Sequence, residues 1–165
     1  MKIADIGLTD VVIDTNVLSH ADNPASNNQA SALALLSWMS TSSIHWVLDD
    51  NGKHQPDPTT SLLYHEYQQT LAPQGLAIQI FTACLMNKRV RFSQRPTQVV
   101  RDEIRKLIAK NKKDQVVLGA ACGSESKTLF TNDFNDFSDK VRDHVQKKLS
   151  VDIFRSTEVD CSSAT

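Results

Sequence analysis

Val11-Val12-Ile13 is a β-branched run, apolar at every position, that ends abruptly in the polar Asp14-Thr15-Asn16 before Val17-Leu18 resume. A half-exposed strand would alternate, so an unbroken apolar run reads as a parallel strand buried on both faces. Lys127-Thr128-Leu129-Phe130-Thr131 reads as a second short strand and runs into the polar Asn132-Asp133-Phe134-Asn135-Asp136. Two strands that present acids at their carboxyl ends constrain this chain more than any other feature. In open α/β sheets, ligands bind in the crevice outside those ends, which places Asp14, Asn16 and Asp133 where chemistry is done. Taken alone, Asp14 reads equally well as the cap of the following turn. Asp136 and Ser138 both suit the N-cap of a helix over residues 137–149, with Asp139 in its dipole-favoured first turn. Asp136 is assigned to the cap and Asp133 to the site.

Between these strands the pattern alternates. Residues 25–39 predict a helix with Leu33, Leu36, Ala32 and Trp38 inward, and residues 44–48 a strand. Asn51-Gly52 signals a tight hairpin turn, with a short ribbon returning through His54 before Pro56 and Pro58 end it. Residues 75–86 predict an apolar helix, 101–109 a basic one and 151–154 a closing strand. Strands alternating with helices imply a three-layer α/β/α fold around a parallel sheet of about four or five strands. At 165 residues and 40% hydrophobic content the chain forms one domain, residues 1–155, with a small, polar, flexible tail at 156–165.

Two further acids have suggestive settings. Asp114 heads Gln115-Val116-Val117-Leu118-Gly119-Ala120-Ala121-Cys122, whose small residues would let a helix lie close to the first strand. Glu66 falls in a helix begun by Asp57-Pro58-Thr59 and stopped at Pro73, where Leu62, Leu63, Glu66 and Thr70 share a face. A charge on a buried face requires a partner. The adjacent His65 points elsewhere and reads as exposed.

The order of these motifs resembles the PIN-domain ribonucleases. The resemblance covers roughly residues 11–154 and is sharpest at the hydrophobic-Asp-Thr-Asn-Val-Leu opening and at Thr131-Asn132-Asp133 with its trailing Asp136-Phe137. The trailing Asp stands one residue further along than the family's spacing, and the hairpin-like insertion before Glu66 is a second departure. The resemblance implies a PIN-like fold, an RNA substrate and metal-dependent endoribonuclease activity at Asp14, Glu66, Asp114 and Asp133. It also admits a toxin or phage-defence role with a cognate antitoxin or defence-system partner protein, and a homodimer.

Four carboxylates about 4 Å apart would repel by on the order of 4 kcal/mol per pair at an intermediate dielectric. Cations make such a cluster sensible, and all-oxygen ligands select Mg²⁺ or Mn²⁺ over zinc. A metal so held activates water and neutralises charge on a phosphate, and hydrolysis of a phosphodiester follows. Asn16, Thr131 or Asn132 would orient waters or carboxylates there, with Asp136 at the periphery. Cys84, Cys122 and Cys161 are odd in number and far apart, which supports neither zinc nor a disulfide framework; Cys84 and Cys122 are expected to fill core. His20, His45, His54, His65 and His144 form no metal-binding helical pair, and no Gly-rich phosphate loop occurs.

The net charge of −1 conceals a strong division. Residues 88–113 hold ten Lys/Arg against two Asp/Glu, whereas residues 1–87 hold two against eight. This basic stretch leads directly into Asp114. Arg101, Arg105, Lys106, Lys110, Lys112 and Lys113 are therefore expected to bind the RNA backbone, in a salt-sensitive way, although such runs also occur as plain solvated faces. No apolar run reaches membrane-spanning length, and Asp5 and Asp10 interrupt the amino terminus, so a cytoplasmic protein is expected. Two other functions compete. A phosphatase of the haloacid-dehalogenase type would carry an Asp two residues after its nucleophile, where this chain has Asn16. A catalytically silent PIN-like module binding RNA or protein would lack an acid, and none is missing.

Overall fold

The structure, a computed structural model, describes residues 1–50, 52 and 57–162. Five strands, β1 (Asp10–Ile13), β2 (His45–Leu48), β3 (Val90–Phe92), β4 (Thr128–Phe130) and β5 (Asp152–Phe154), form one all-parallel sheet in the order 3-2-1-4-5. Parallel neighbours need long crossovers. These are supplied by α1 (Thr15–Ala21), α2 (Gln29–Thr41), α3 (Leu62–Thr70), α4 (Leu76–Met86), α5 (Gln98–Leu107), α6 (Lys112–Gly123) and α7 (Asp139–Leu149), giving a three-layer α/β/α fold. The central strands β1 and β4 are buried at every position, as their unbroken apolar runs require. The chain steps from β1 outward to β2 and β3, then returns to place β4 and β5 on the other side. The order therefore reverses between β1 and β4, and the crevice of an open sheet lies at that switch point.

α3 and α4 are fixed to the sheet by an aromatic cluster. Trp46 meets Phe81 edge-on at 5.1 Å between ring centroids, and Tyr67 meets Phe81 at 5.4 Å. Trp46 also donates its indole N–H to the Tyr67 hydroxyl at 3.2 Å.

Several expectations are corrected. The predicted helix at 25–39 begins only at Gln29, because Asn23, Ser26 and their neighbours form successive turns. Its buried face is Ala32, Leu35, Leu36 and Met39, while Leu33 and Trp38 are only partly buried. On α3 the buried pair is Leu63 and Tyr67; Leu62 and Thr70 are exposed. The edge strand β3 went unpredicted, since Arg91 interrupts a run of only three residues. The tail is not frayed from residue 156. Ser156 is fully buried, a 3-10 turn covers Ser156–Glu158, and Asp160 bridges to Lys2. Asp50 Oδ1 accepts from the N–H of Gly52, whose φ of 72° suits a tight turn, but the ribbon expected through His54 and Pro56 lies outside the described residues. Cys84 is in the core, with Cys122 packed against it. Among the described residues no helix is long and apolar enough to cross a membrane.

Candidate metal centre

Asp14 follows β1 at the switch point and is 0% exposed. It occupies the N-cap position of α1, but its side chain makes no capping bond. Instead Oδ2 accepts from Asn16 Nδ2 at 2.7 Å and from the Thr131 hydroxyl at 2.8 Å. That hydroxyl in turn accepts from Asn16 Nδ2 at 3.1 Å and from the Asp133 N–H at 3.1 Å, so its donor and both lone pairs are used. Asn16 Oδ1 accepts from the Asn132 N–H at 2.8 Å. β1 and β4 are thus stitched together at their carboxyl ends by side chains that fix one face of the Asp14 carboxylate. Its other oxygen, Oδ1, is buried without a hydrogen-bond partner.

Asp114 approaches from α6. The N-cap of that helix is Asn111, whose Oδ1 accepts from the N–H groups of Lys113 and Asp114. The same amide donates through Nδ2 to Asp114 Oδ2 at 3.0 Å and to Asp136 Oδ2 at 2.9 Å. One asparagine both starts the helix and spaces two carboxylates. Asp114 is 1% exposed, and its Oδ1, like that of Asp14, is buried without a partner. Burial first, then a hydrogen-bonding contact with Asp136 and the charges of Asp14 and Asp133, push the Asp114 carboxyl up to about 8, against the opposing charge of Lys113.

Asp114, Asp133 and Asp136 each bring one carboxylate oxygen to within 4.8 Å of the others, and this trio could hold a metal ion. Asp133 is held in place by accepting from the N–H groups of Asn135 and Asp136. The assignment of Asp136 to a helix cap is therefore overturned. Ser138 caps α7, its hydroxyl accepting from the Val141 N–H, and Asp136 joins the acids.

Glu66 and Asp14 are linked differently from the predicted shared point. The Lys113 ammonium lies 2.7 Å from Glu66 Oε1 and 3.7 Å from Asp14 Oδ1. Burial alone would lower the Lys113 pKa, but the charges of Asp14, Glu66 and Asp114 outweigh it and raise the value. Burial likewise raises the Asp14 carboxyl, although Lys113 and the Thr131 hydroxyl oppose the shift. Of the predicted four, Asp114 and Asp133 meet together with Asp136, and Asp14 and Glu66 share Lys113, with Asp14 close enough to Asp114 and Asp133 for their charges to act on one another.

The basic set divides as well. Lys113 pairs with Glu66 and Asp14. Lys106 is exposed and paired with Glu103, and Lys110 is exposed after α5. Arg101, Arg105 and Lys112 instead border a cavity beside the acids. Asn132 binds Asn16 only through its backbone. Its side chain turns away, accepting from the N–H and hydroxyl of Ser156 and meeting His20 Nδ1 at 3.1 Å. His65 is exposed, as its helical position implied.

Besides Asn111, two positioning residues escaped sequence reasoning. Ser61 is the N-cap of α3, its hydroxyl accepting from the Tyr64 N–H, and the buried Asp49 secures that end by accepting from Ser61 Oγ at 2.6 Å and from the N–H groups of Leu62 and Leu63. The Tyr67 hydroxyl donates to the Ile13 carbonyl, tying α3 to the residue before Asp14 and so setting Glu66 against Lys113. Burial raises the Tyr67 pKa well above its ordinary value, which keeps this donor protonated. Tyr67→Phe leaves the Ile13 carbonyl and the Trp46 N–H unpaired, and is expected to cost about 1–3 kcal/mol. Thermal denaturation checks this; an unchanged midpoint would show that the hydroxyl does not secure α3. Compared with protein-family models and with curated proteins, the chain matches none.

Proposed function

We propose that this chain is an endoribonuclease that uses Mg²⁺ or Mn²⁺ to hydrolyse phosphodiester bonds of RNA. The observation that carries the reading is the buried Asp114 Oδ1, which has no hydrogen-bond partner, within the Asp114, Asp133 and Asp136 trio, with Asp14 Oδ1 nearby facing only the Lys113 ammonium at 3.7 Å. A buried carboxylate oxygen without a partner is costly, and a cation offsets that cost. The chemistry of the donor set, oxygen only, suits a hard divalent ion.

Asp114, Asp133 and Asp136 would hold the ion, with Asn111 setting the spacing of two of them. Once bound, such an ion supplies a water of lowered pKa and neutralises charge on a phosphate and its leaving oxygen. The Asn16 amide and the Thr131 hydroxyl fix the direction of Asp14. Lys113, held between Asp14 and Glu66, sets a fixed positive charge beside the acids, where a phosphate oxygen would otherwise meet only repulsion. The motif order that resembles PIN-domain ribonucleases favours RNA as substrate, as do the basic side chains of α5 and α6 beyond the acids. Asn16 stands where a haloacid-dehalogenase-type phosphatase needs an acid. Its amide is spent on Asp14, Thr131 and Asn132, which leaves that reading without its proton donor.

Titration of the metal-free protein with Mn²⁺, followed by electron paramagnetic resonance, tests the centre. We expect saturable binding that Asp133→Asn weakens by about 10-fold or more, by analogy with the loss of metal-site supports. His65→Ala should leave binding unchanged, because that side chain is exposed on the outer face of α3. Absence of binding at millimolar Mn²⁺ would contradict the reading.

A further inference from the structure

A cavity of about 390 Å³ opens beside the acids over the carboxyl ends of β2 and β3, between α3, α5 and α6. Its volume is near the lower end of the roughly 300–1,000 Å³ range of small-molecule sites, enough for one nucleotide unit. The floor is apolar, built from Pro96, Ile104 and Val116, with Leu62 at the wall. Two of these are conspicuous: Leu62 is 51% exposed, and Val116 is only half-buried and not packed into the core. Gly119 also lines the wall, where a Cβ would make an ordinary contact with Pro96 Cγ at 3.4 Å.

The rim is cationic. Arg95, Arg101, Arg105 and Lys112 face two acids, Asp49 and Asp50. Asp49 is consumed in securing the amino end of α3, and Asp50 accepts from the Gly52 N–H. Arg101 is pre-positioned by donating to the Pro96 carbonyl and the Gln98 side chain. Arg105 pairs with Asp102, but both are more than half exposed, and a phosphate can displace so weak a partner.

Helix α6 relates this cavity to the acids. Lys112, Gln115, Val116 and Gly119 recur at helical spacing and line the cavity, while Lys113, about a third of a turn away, and Asp114, nearly half a turn away, serve the acid site. An apolar lining of Pro96, Ile104 and Val116, a cationic rim and an acid site on another face of the same helix together match a nucleotide within a strand. Bases can enter such a slot only when unstacked, as in single-stranded RNA.

We propose that this cavity holds one nucleotide of single-stranded RNA, its base on the Pro96, Ile104 and Val116 floor and its phosphate on Arg101, Arg105 and Lys112, next to the bond presented to the acids. This rests on the nuclease reading and adds the strand's point of recognition to it.

The test uses the full chain in EDTA, with fluorescent single-stranded RNA octamers of each base, the matching duplexes, and free AMP as probes. Single-stranded octamers should bind at least about 10-fold more tightly than duplex or AMP. Val116→Trp, which fills the slot, and Leu62→Glu, an exposed change that adds repulsion at the wall, should each weaken octamer binding about 10-fold while leaving the melting temperature and Mn²⁺ binding in place. Arg105→Gln should weaken binding and lower its salt slope by about one unit. Octamer affinity unmoved by both Val116→Trp and Leu62→Glu would overturn the proposal, as would AMP or duplex binding as tightly as the octamers. Cleavage with slot-insensitive binding would sink the cavity assignment alone. Slot-dependent binding without metal-dependent cleavage would sink the nuclease reading and support the cavity.

Discussion

Lys113→Met is expected to lower the melting temperature of the metal-free protein by about 5–10 °C, on the scale of 2–4 °C per kcal/mol for a domain of this size. Removing one partner of a fully buried ion pair costs roughly 3–5 kcal/mol, because the remaining charge is left uncompensated. Here the ammonium is 39% exposed and Glu66 partly so, which reduces the loss to about 2–3 kcal/mol. Asp14 is fully buried, so it bears most of the damage. Mn²⁺ should recover much of the loss by supplying the missing positive charge next to Asp14. Differential scanning calorimetry in EDTA and in Mn²⁺ decides this. An unchanged midpoint in EDTA would mean that Lys113 is an ordinary surface lysine and that the acids do not depend on it.

Metal-free stability should also fall as pH rises from 5 to 8, the reverse of the usual carboxylate behaviour. The Asp114 carboxyl titrates at about 8 in the folded chain, against about 3.9 in an unfolded one. Through that interval the folded state holds a proton that the unfolded state has released. Raising the pH therefore favours unfolding. The contribution is fully present below about pH 4 and is lost as the pH passes 8. At up to 1.4 kcal/mol per pH unit, the decline between pH 5 and 8 amounts to roughly 3 kcal/mol. The raised carboxyl of Asp14 acts in the same direction. Lys113, whose pKa is raised, stays charged throughout this window and adds no slope. Urea denaturation in EDTA at several pH values would show the decline, and Asp114→Asn should flatten it. Saturating Mn²⁺ should flatten it too, since a bound cation favours the ionised carboxylate. Flat stability in wild-type protein without metal would contradict the environment described for Asp114.

Much of this was legible in the sequence because the informative signals were strong ones. The continuous apolar runs of β1 and β4 could be little else than buried parallel strands, and the acids after them had to fall at the sheet's carboxyl edge. Asn16 and Thr131 were legible for the same reason. What was missed depended on direction rather than identity. Lys112 and Lys113 are adjacent in sequence and share a basic run, yet on α6 they point to different sites. Asn111 carried a readable N-cap signal before Lys112-Lys113-Asp114, but its second task, joining Asp114 to Asp136, depends on a loop 25 residues away. Asp136 and Ser138 competed for one cap, and local propensity could not rank them; packing gave the cap to Ser138 and released the acid. Edge strand β3, three residues around an exposed arginine, had too short a pattern to separate from a turn.

Incubation of the full chain with single-stranded RNA in Mg²⁺, in Mn²⁺ and in EDTA, beside folded Asp14→Asn and Asp114→Asn variants, tests the metal-centred reading most directly. Neither substitution should unfold the protein, because each replaces a carboxyl group in a crowded acidic cluster by an isosteric neutral amide. The expected result is internal cleavage with either ion, none in EDTA, and a loss of at least about 100-fold in both variants, Asp114 as one of the carboxylates that would hold the ion and Asp14 as the buried carboxylate next to them. Undiminished cleavage in EDTA, or by a folded Asp114→Asn variant, would contradict the assignment of hydrolysis to this centre.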